Sequence, residues 1–532
     1  MGEAKPRVIA YGDALETLRH DRDMARALVG VPLPVCFFCV FVAMLSRHIP
    51  TSELYEQSYS VSSALDSTGT DALTPATTMK FQNIAETSDV FDWLIDTFVP
   101  SVFTTEDYNG KLLPKDQWGR IAHFNKVLGA VTFQVTRAPI HPCQAAQFLV
   151  DLYPNCYDAA NTTTSTFLIS FDTNATEAAD IVSRLKDHGS WLDFATQQLL
   201  ITVVAYNGEV QGFTVTKLQL DFHQGGYIET SSTTTPTISD PYTSEGAIVL
   251  DVLVGVCLAL SLWRPLGAFL RALCSPRTWR VQLSECDFGS FVVSLAVSAC
   301  TCAFYGIWIS MIWLMYAREF RDNLARLVVS GKKFDASSNE REGLVAVTKS
   351  LERVAECTTA LRLFATATVF ALGIDILMQF RFHPRLNILT RTVANALHQF
   401  VGFFIVFVVI FMTFAVSGAV LFGDRVQGFA SLAHAMESCV NMLFGNFDYA
   451  TIQSVNAPVG MLYYWAYMVV VSLVLLNMML AIVLDSYEEM SREAASSKNS
   501  VSLRRTISNA LTPREVRSSF AGALFPTCWS ER

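Results

Sequence analysis

Charge is scarce in this chain: Asp, Glu, Lys and Arg make up 16% of its 532 residues, against about 25% in an ordinary soluble domain. A soluble globule is a poor fit to that deficit. Basic residues number 39 against 48 acidic ones, for a net charge of -9, and no basic stripe with interleaved aromatics exists, so no nucleic-acid partner is implied. The nine histidines are scattered. There is no metal-spaced His/Cys cluster, no nucleophile elbow and no phosphate-cradling glycine loop. An enzyme is therefore the weakest reading, and neither a cofactor nor a bound metal is expected. A calcium loop of alternating carboxylates and long heptads are missing too.

Apolar residues are abundant, at 51% of the chain with a mean hydropathy of +0.32, and they are clustered. Runs long enough to cross roughly 30 Å of hydrocarbon, about 20 residues each, lie near 30–47, 244–263, 288–316, 358–380, 398–422 and 461–484. These predict six membrane spans. The first follows a basic stretch with Lys5, Arg7, Arg19, Arg22 and Arg26, and runs on into Ser46-Arg47-His48-Ile49-Pro50 without a small-residue cleavage site. It reads as a retained span and not as a signal peptide.

By the positive-inside rule residues 1–29 stay in the cytosol, which places the segment 52–243 on the opposite side. Two glycosylation sequons, at Asn161 and Asn174, agree with an extracytosolic location. Leu199–Tyr206 and Phe213–Phe222 read as strands around an Asn207-Gly208 turn signal, and Gln144–Leu152 and Ala178–Leu185 fit helices. The insert is thus expected to be an α+β domain. Arg264, Arg271, Arg277 and Arg280 suit a cytosolic loop after the second span. The loop from Ala317 to Glu356 is harder, because it is rich in Arg and Lys although strict alternation places it outside.

Several segments of this sequence resemble the polycystin family of transient-receptor-potential cation channels. In the insert they are Phe91-Asp92-Trp93-Leu94, Asn125 to Arg137, Trp191-Leu192-Asp193 with Thr196, and Tyr206-Asn207 leading to Gly225-Gly226. Further on, Phe422-Gly423-Asp424, Leu443-Phe444-Gly445-Asn446 and Leu475 through Tyr487 are similar, in the same order, to the family's fifth-span exit, filter and sixth span. The resemblance implies a mainly α membrane fold: six transmembrane helices of voltage-gated-like type with a re-entrant pore loop, plus an extracytosolic polycystin domain between spans 1 and 2. It divides the chain into span 1 (30–47), the polycystin domain (52–243), a sensor-like bundle (244–380), a linker helix (381–399), the pore domain (400–486) and a disordered cytosolic tail (487–532). It also implies that Cys143 and Cys156 form the bridged loop of the family's extracellular domain; two free thiols are the other reading.

A cation crossing a bilayer exchanges its water shell for fixed oxygens, which a short non-helical loop supplies. The resemblance places the selectivity filter at Phe444, Gly445 and Asn446. Where the family typically carries an Asp after the Gly, this chain has Asn446, so weaker calcium selectivity is expected. Asp448 either restores a charged ring at the outer mouth or is a solvated turn carboxylate. Leu473, Asn477 and Ala481 recur every four residues on one helical face and are candidates for the inner gate; a hydrogen bond between helices is the alternative for Asn477.

Voltage sensing needs several charges moving through the field, and the fourth span is poor in them. Ile376 and Gln379 stand where relatives place Lys, so weak voltage dependence is expected. Asp287 and Arg381 are candidates to pair at the cytosolic ends of the third and fourth spans, with Asp375 between Arg362 and Arg381. Asp251, seven residues into the second span, marks either a ligand or ion pocket in the sensor-like bundle or a hydrated interfacial carboxylate. The resemblance thus implies a tetrameric subunit, homomeric or heteromeric with polycystin-like chains, surrounded by membrane lipids and passing Na+, K+ and Ca2+. A non-conducting partner subunit is the alternative, and a secondary transporter fits less well because no paired broken spans are evident. A plasma, ciliary or flagellar membrane and an endoplasmic-reticulum or endolysosomal one all satisfy these features.

Overall fold

The computed structural model describes residues 30–66, 79–143, 151–158, 160–187, 191–240, 245–274, 288–328, 338–379, 384–446 and 449–496, with single positions at 149, 189 and 242. Among the described residues, six helical segments are long and apolar enough to cross a membrane: Pro32–Leu65, Gly246–Trp263, Val292–Tyr316, Arg341–Gln379, Gln399–Phe422 and Ala457–Glu489. The chain is a multi-pass integral membrane protein. Its described residues form two compact units, one within 36–263 and 292–372 and the other within 1–35, 264–291 and 373–532.

The first unit begins with α1 (Pro32–His48) and α2 (Thr51–Asp66). It continues through α3 (Thr87–Trp93) and the strands β1 (Arg120–Ile121), β2 (Asn125–Val127), β3 (Ala130–Arg137), β4 (Ile140–Pro142), β5 (Asn155–Tyr157) and β6 (Thr163–Ser170). Helix α4 (Ala175–Asp187) precedes β7 (Thr196–Asn207), β8 (Gly212–Phe222) and β9 (Ile228–Ile238). The antiparallel sheet is built on β7, which carries β8 and then β9 along one edge. On its other edge β7 pairs with β3 and, near its end, with β2. Residues β7 sends to opposite faces alternate, as a pleated strand requires. Leu199, Ile201 and Val203 pack with Trp93, Phe98, Phe133 and Val182, on the side of α3 and α4.

The other face, including Val204, Phe213 and Val215, packs on Phe320, Val347, Leu351 and Ala355. These belong to α7 (Arg318–Val328) and to the first half of α8 (Ser338–Gln379). The fourth span is therefore the second half of a 42-residue helix that starts well before residue 358. Charged residues of the 317–356 segment are used here: Glu352 pairs with Lys217 of β8 at 3.1 Å, and Arg341 donates to the Thr166 carbonyl at 2.6 Å. The Asn207 turn closes through its own side chain, whose Oδ1 accepts from the amides of Glu209 at 3.0 Å and Val210 at 3.3 Å. The left-handed residue is Gln211, with φ +53°. Helix α4 covers the 178–185 prediction, whereas most of Gln144–Leu152 lies outside the described residues.

Below the sheet, α1, α5 (Glu245–Cys274), α6 (Phe288–Tyr316) and the later part of α8 form a bundle. Phe37, Phe41, Val254, Phe304, Trp308, Leu361 and Leu372 make its core, with the Phe41 and Phe304 rings edge to face at 5.6 Å. Lipid tails are as apolar as these side chains, so close packing and interhelical hydrogen bonds hold such a bundle together.

In the second unit, α9 (Pro384–Phe422) runs unbroken, so residues 384–399 and the fifth span share one helix. It is followed by α10 (Leu432–Leu443), the short α11 (Tyr449–Gln453) and α12 (Ala457–Tyr467). A π-helical stretch, Met468–Leu475, then leads into α13 (Leu476–Ser496).

Candidate functional site

Helix α10 has 12 residues and so a length of about 18 Å, too short to cross about 30 Å of hydrocarbon. Its start is set by Ser431, whose hydroxyl accepts from the His434 amide at 3.2 Å and supplies an N-cap. One face is buried: Ala435, Cys439 and Met442 pack in one cluster with Phe422, Phe429, Tyr463 and Tyr467. Ser438 donates to the Gly428 carbonyl at 2.6 Å. Close approach of α9 depends on Gly418, where a Cβ would lie 2.6 Å from both the Phe429 ring and the Tyr463 hydroxyl.

The last four carbonyls of a helix have no partner within it, and all four are satisfied here. Val440 accepts from the Phe444 amide at 3.3 Å, Met442 from Gly445 at 3.0 Å and Asn441 from Asn446 at 2.8 Å. Leu443 accepts from the Ser472 hydroxyl at 3.4 Å. The amides of Gly445 and Asn446 thus form a Schellman cap, which requires a left-handed residue after the helix. Gly445 supplies it with φ +74°. Its first task is therefore to end α10. Phe444, Gly445 and Asn446 are exposed in the chain, at the helix end that carries a partial negative charge and favours cations. Asp448 lies outside the described residues.

Leu473 is 61% exposed, and Asn477 and Ala481 are exposed as well. The π turn holds more residues than the 3.6 of an α turn, so the step from Leu473 to Asn477 comes closer to one full turn than it would in an α-helix. Two features of this region had no counterpart in the sequence reading: α11, and the hydroxyls of Tyr463 and Tyr467. Tyr463 donates to the Phe414 carbonyl at 2.8 Å and lies 3.6 Å from Cys439 Sγ. Tyr467 donates to the Cys439 carbonyl at 2.6 Å. Their four-residue spacing, which puts two polar tips on one face of an apolar span, was the available signal.

In the first unit, Asp251 is the hub of a polar cluster. Its Oδ1 lies 2.9 Å from His48 Nε2 and accepts from the Tyr305 hydroxyl at 3.1 Å, while Oδ2 accepts from the Tyr242 hydroxyl at 3.0 Å. Trp308 Nε1 donates in turn to Tyr242 at 2.9 Å. A carboxylate already surrounded by donors has little capacity left for a cation. Asp375 is buried in the second unit. Asp287 and Arg381 lie outside the described residues, and so does their pairing.

Cys143 and Cys156 are disulfide-bonded, with their Cα atoms 4.9 Å apart, and the bridge staples the β4–β5 hairpin. Asn161 and Asn174 are both exposed. Asn174 Oδ1 accepts from the Thr176 amide at 3.1 Å at the start of α4, and Asn161 Nδ2 donates to Asp158 at 3.0 Å.

The family described as polycystin cation channel matches residues 347–490, a stretch that includes α9, α10, α12 and most of α13. Polycystin-2 of Caenorhabditis elegans is 20% identical over 93% of this chain and 70% of its own length. Human polycystin-2-like protein 1 is 32% identical over 25% of this chain and 17% of its own length. Polycystin-2 of Danio rerio is 19% identical over 82% and 49%. The chain thus spans from under a fifth to just over two thirds of the length of these relatives.

Proposed function

Because the chain belongs to the polycystin cation channel family through residues 347–490, we propose that it is one subunit of a tetrameric cation channel. In this reading α10 is a re-entrant pore helix between the fifth and sixth spans, and Phe444, Gly445 and Asn446 form the filter. One observation carries it: a helix too short to span ends, fully capped, with its partly negative pole at an exposed segment able to offer oxygens. Leu473, Asn477 and Ala481 are the inner gate, their exposed faces turned to the axis when four copies assemble. The permeant ions are Na+, K+ and Ca2+; the neutral Asn446 amide gives oxygen without charge, so selectivity for calcium is weak. Voltage dependence is weak because the fourth span carries few charges.

The insert is extracytosolic in this topology. Its packing against α7 and the first half of α8 supports that arrangement, since the insert and the segment between spans three and four are two crossings apart. Assembly with polycystin-like subunits and contact with lipids follow from the same reading. Departure from the family at Asn446 also favours a second reading, a non-conducting partner within a heteromeric complex.

Single cysteines at Leu473, Asn477 and Ala481 test the pore assignment. A cationic thiol reagent applied to reconstituted protein blocks flux at these positions and spares Leu462→Cys. Equal block at all four, or at none, would remove the assignment.

A further inference from the structure

Tyr467 is fully buried, with its ring edge to face against Phe414 at 5.3 Å. Its hydroxyl reaches the carbonyl of Cys439 at 2.6 Å, in the middle of α10 and one turn before the cap. That carbonyl can already accept a bond within the helix, from Leu443, so the tyrosine adds a contact between elements and does not rescue an orphan. Five residues on, Ser472 reaches the carbonyl of Leu443, the last of α10. A π-helix bonds residue i to i+5 and so brings residues five apart nearer to one full turn than an α-helix does; Tyr467 immediately precedes the Met468–Leu475 π stretch and Ser472 lies within it. In an α-helix, residues five apart point in clearly different directions; here both side chains meet the same short helix. Tyr463, one α turn before Tyr467, is fixed to the Phe414 carbonyl and so ties this face to α9.

We propose that Tyr467 and Ser472 are positioning residues that fix the C-terminal end of α10, and with it the height and orientation of Phe444, Gly445 and Asn446. The inference rests on the filter assignment for its functional consequence, though not for its geometry. Neither side chain touches a permeant ion in this account. They act through backbone carbonyls, so removing either hydroxyl leaves filter chemistry intact and changes only how firmly that backbone is held. The π stretch is what allows one span to make both contacts.

The test compares Tyr467→Phe, Ser472→Ala and the double variant with the parent protein in lipid nanodiscs, using Tyr464→Phe as the control tyrosine. Amide hydrogen exchange is read at residues 440–446 and, as an internal reference, at 432–438. Loss of a buried hydrogen bond shifts a local opening equilibrium by roughly 3- to 10-fold. Exchange at 440–446 should quicken by about that factor in Tyr467→Phe and more in the double variant, with 432–438 and the Tyr464→Phe protein unchanged. Reversal potentials of the same proteins in bilayers then read relative permeability, which should shift in the two single variants and not in the control. Faster exchange in a protein whose parent passes no current supports the positioning role and defeats the channel reading. Unchanged exchange at 440–446 in both single variants overturns the positioning role, whatever the currents show. So does quickening spread evenly over 432–446, because that marks general loosening.

Discussion

Nε2 of His48 lies 2.9 Å from Oδ1 of Asp251, although the two residues are 203 positions apart in the chain. The contact joins the end of α1 to α5, and the same carboxylate takes the hydroxyls of Tyr305 from α6 and Tyr242 from the strand-to-helix connection. Side-chain hydrogen bonds between membrane helices average well under 1 kcal/mol each, and bonds to a charged group are worth more. Asp251→Leu strands several buried donors at once, so it should destabilise the bundle by about 2–4 kcal/mol. Asp251→Asn retains an acceptor and should cost less. Thermal unfolding in detergent checks the order; equal melting temperatures for the three proteins would contradict it.

Asn174 has two features that mutation can separate. Its Oδ1 caps α4 through the Thr176 amide, and the residue heads the Asn174-Ala175-Thr176 sequon. Thr176→Ala should abolish glycan at this site and leave stability nearly unchanged. Asn174→Ala should abolish the glycan and also cost about 0.5–2 kcal/mol of domain stability. Endoglycosidase shifts and urea unfolding of the deglycosylated proteins separate the two effects. Glycan retained in either variant would count against use of the sequon.

Gly445 and Asn446 make distinct predictions. Gly445 sits at φ +74°, where any side chain is strained, so Gly445→Ala should cost about 1–2 kcal/mol and lower the yield of assembled protein. Asn446→Asp keeps the backbone and adds a charge. It should raise calcium permeability relative to sodium, as read from reversal potentials in mixed salts. An unchanged ratio would place the filter elsewhere.

Asp158, beside the disulfide, accepts from the Ala160 amide at 2.9 Å and from Asn161. These bonds, the Ala160 amide first, hold its carboxyl below the ordinary value of 3.8. A depressed folded pKa means that the stabilisation is present above that ordinary value and is lost as pH falls through the lower, folded one. The Ala160 amide should therefore stay protected at mildly acidic pH and lose its protection only in stronger acid. Asp158→Asn should remove that pH dependence. An Ala160 amide equally protected throughout the acid titration of the parent protein would contradict the assignment.

Spans and strands were legible because each rests on a local pattern: long apolar runs for the helices, and alternation around Asn207 for β7 and β8. Where partners decide, the sequence was silent. The residues before 358 look like a charged loop until the sheet supplies Val204 and Val215 for Leu351 to pack against. Asp251 reads as an anomaly until His48 stands beside it. The π stretch leaves no mark on residues 468–475, since Val, Leu and Ser suit either helix; its evidence is that Tyr467 and Ser472 reach one short helix together. Gly445 was read as a filter residue, and the structure adds the reason that a glycine is needed there: it ends α10.

Cation flux through the purified chain in liposomes tests the central claim most directly. The account predicts ion entry that rises with ion concentration without early saturation, discriminates weakly between sodium and potassium, admits calcium, and stops when Leu473→Cys is modified. Saturable, slow exchange would indicate a transporter. Tight lipid vesicles containing correctly assembled yet silent protein would contradict the account and leave the non-conducting partner as the reading that stands.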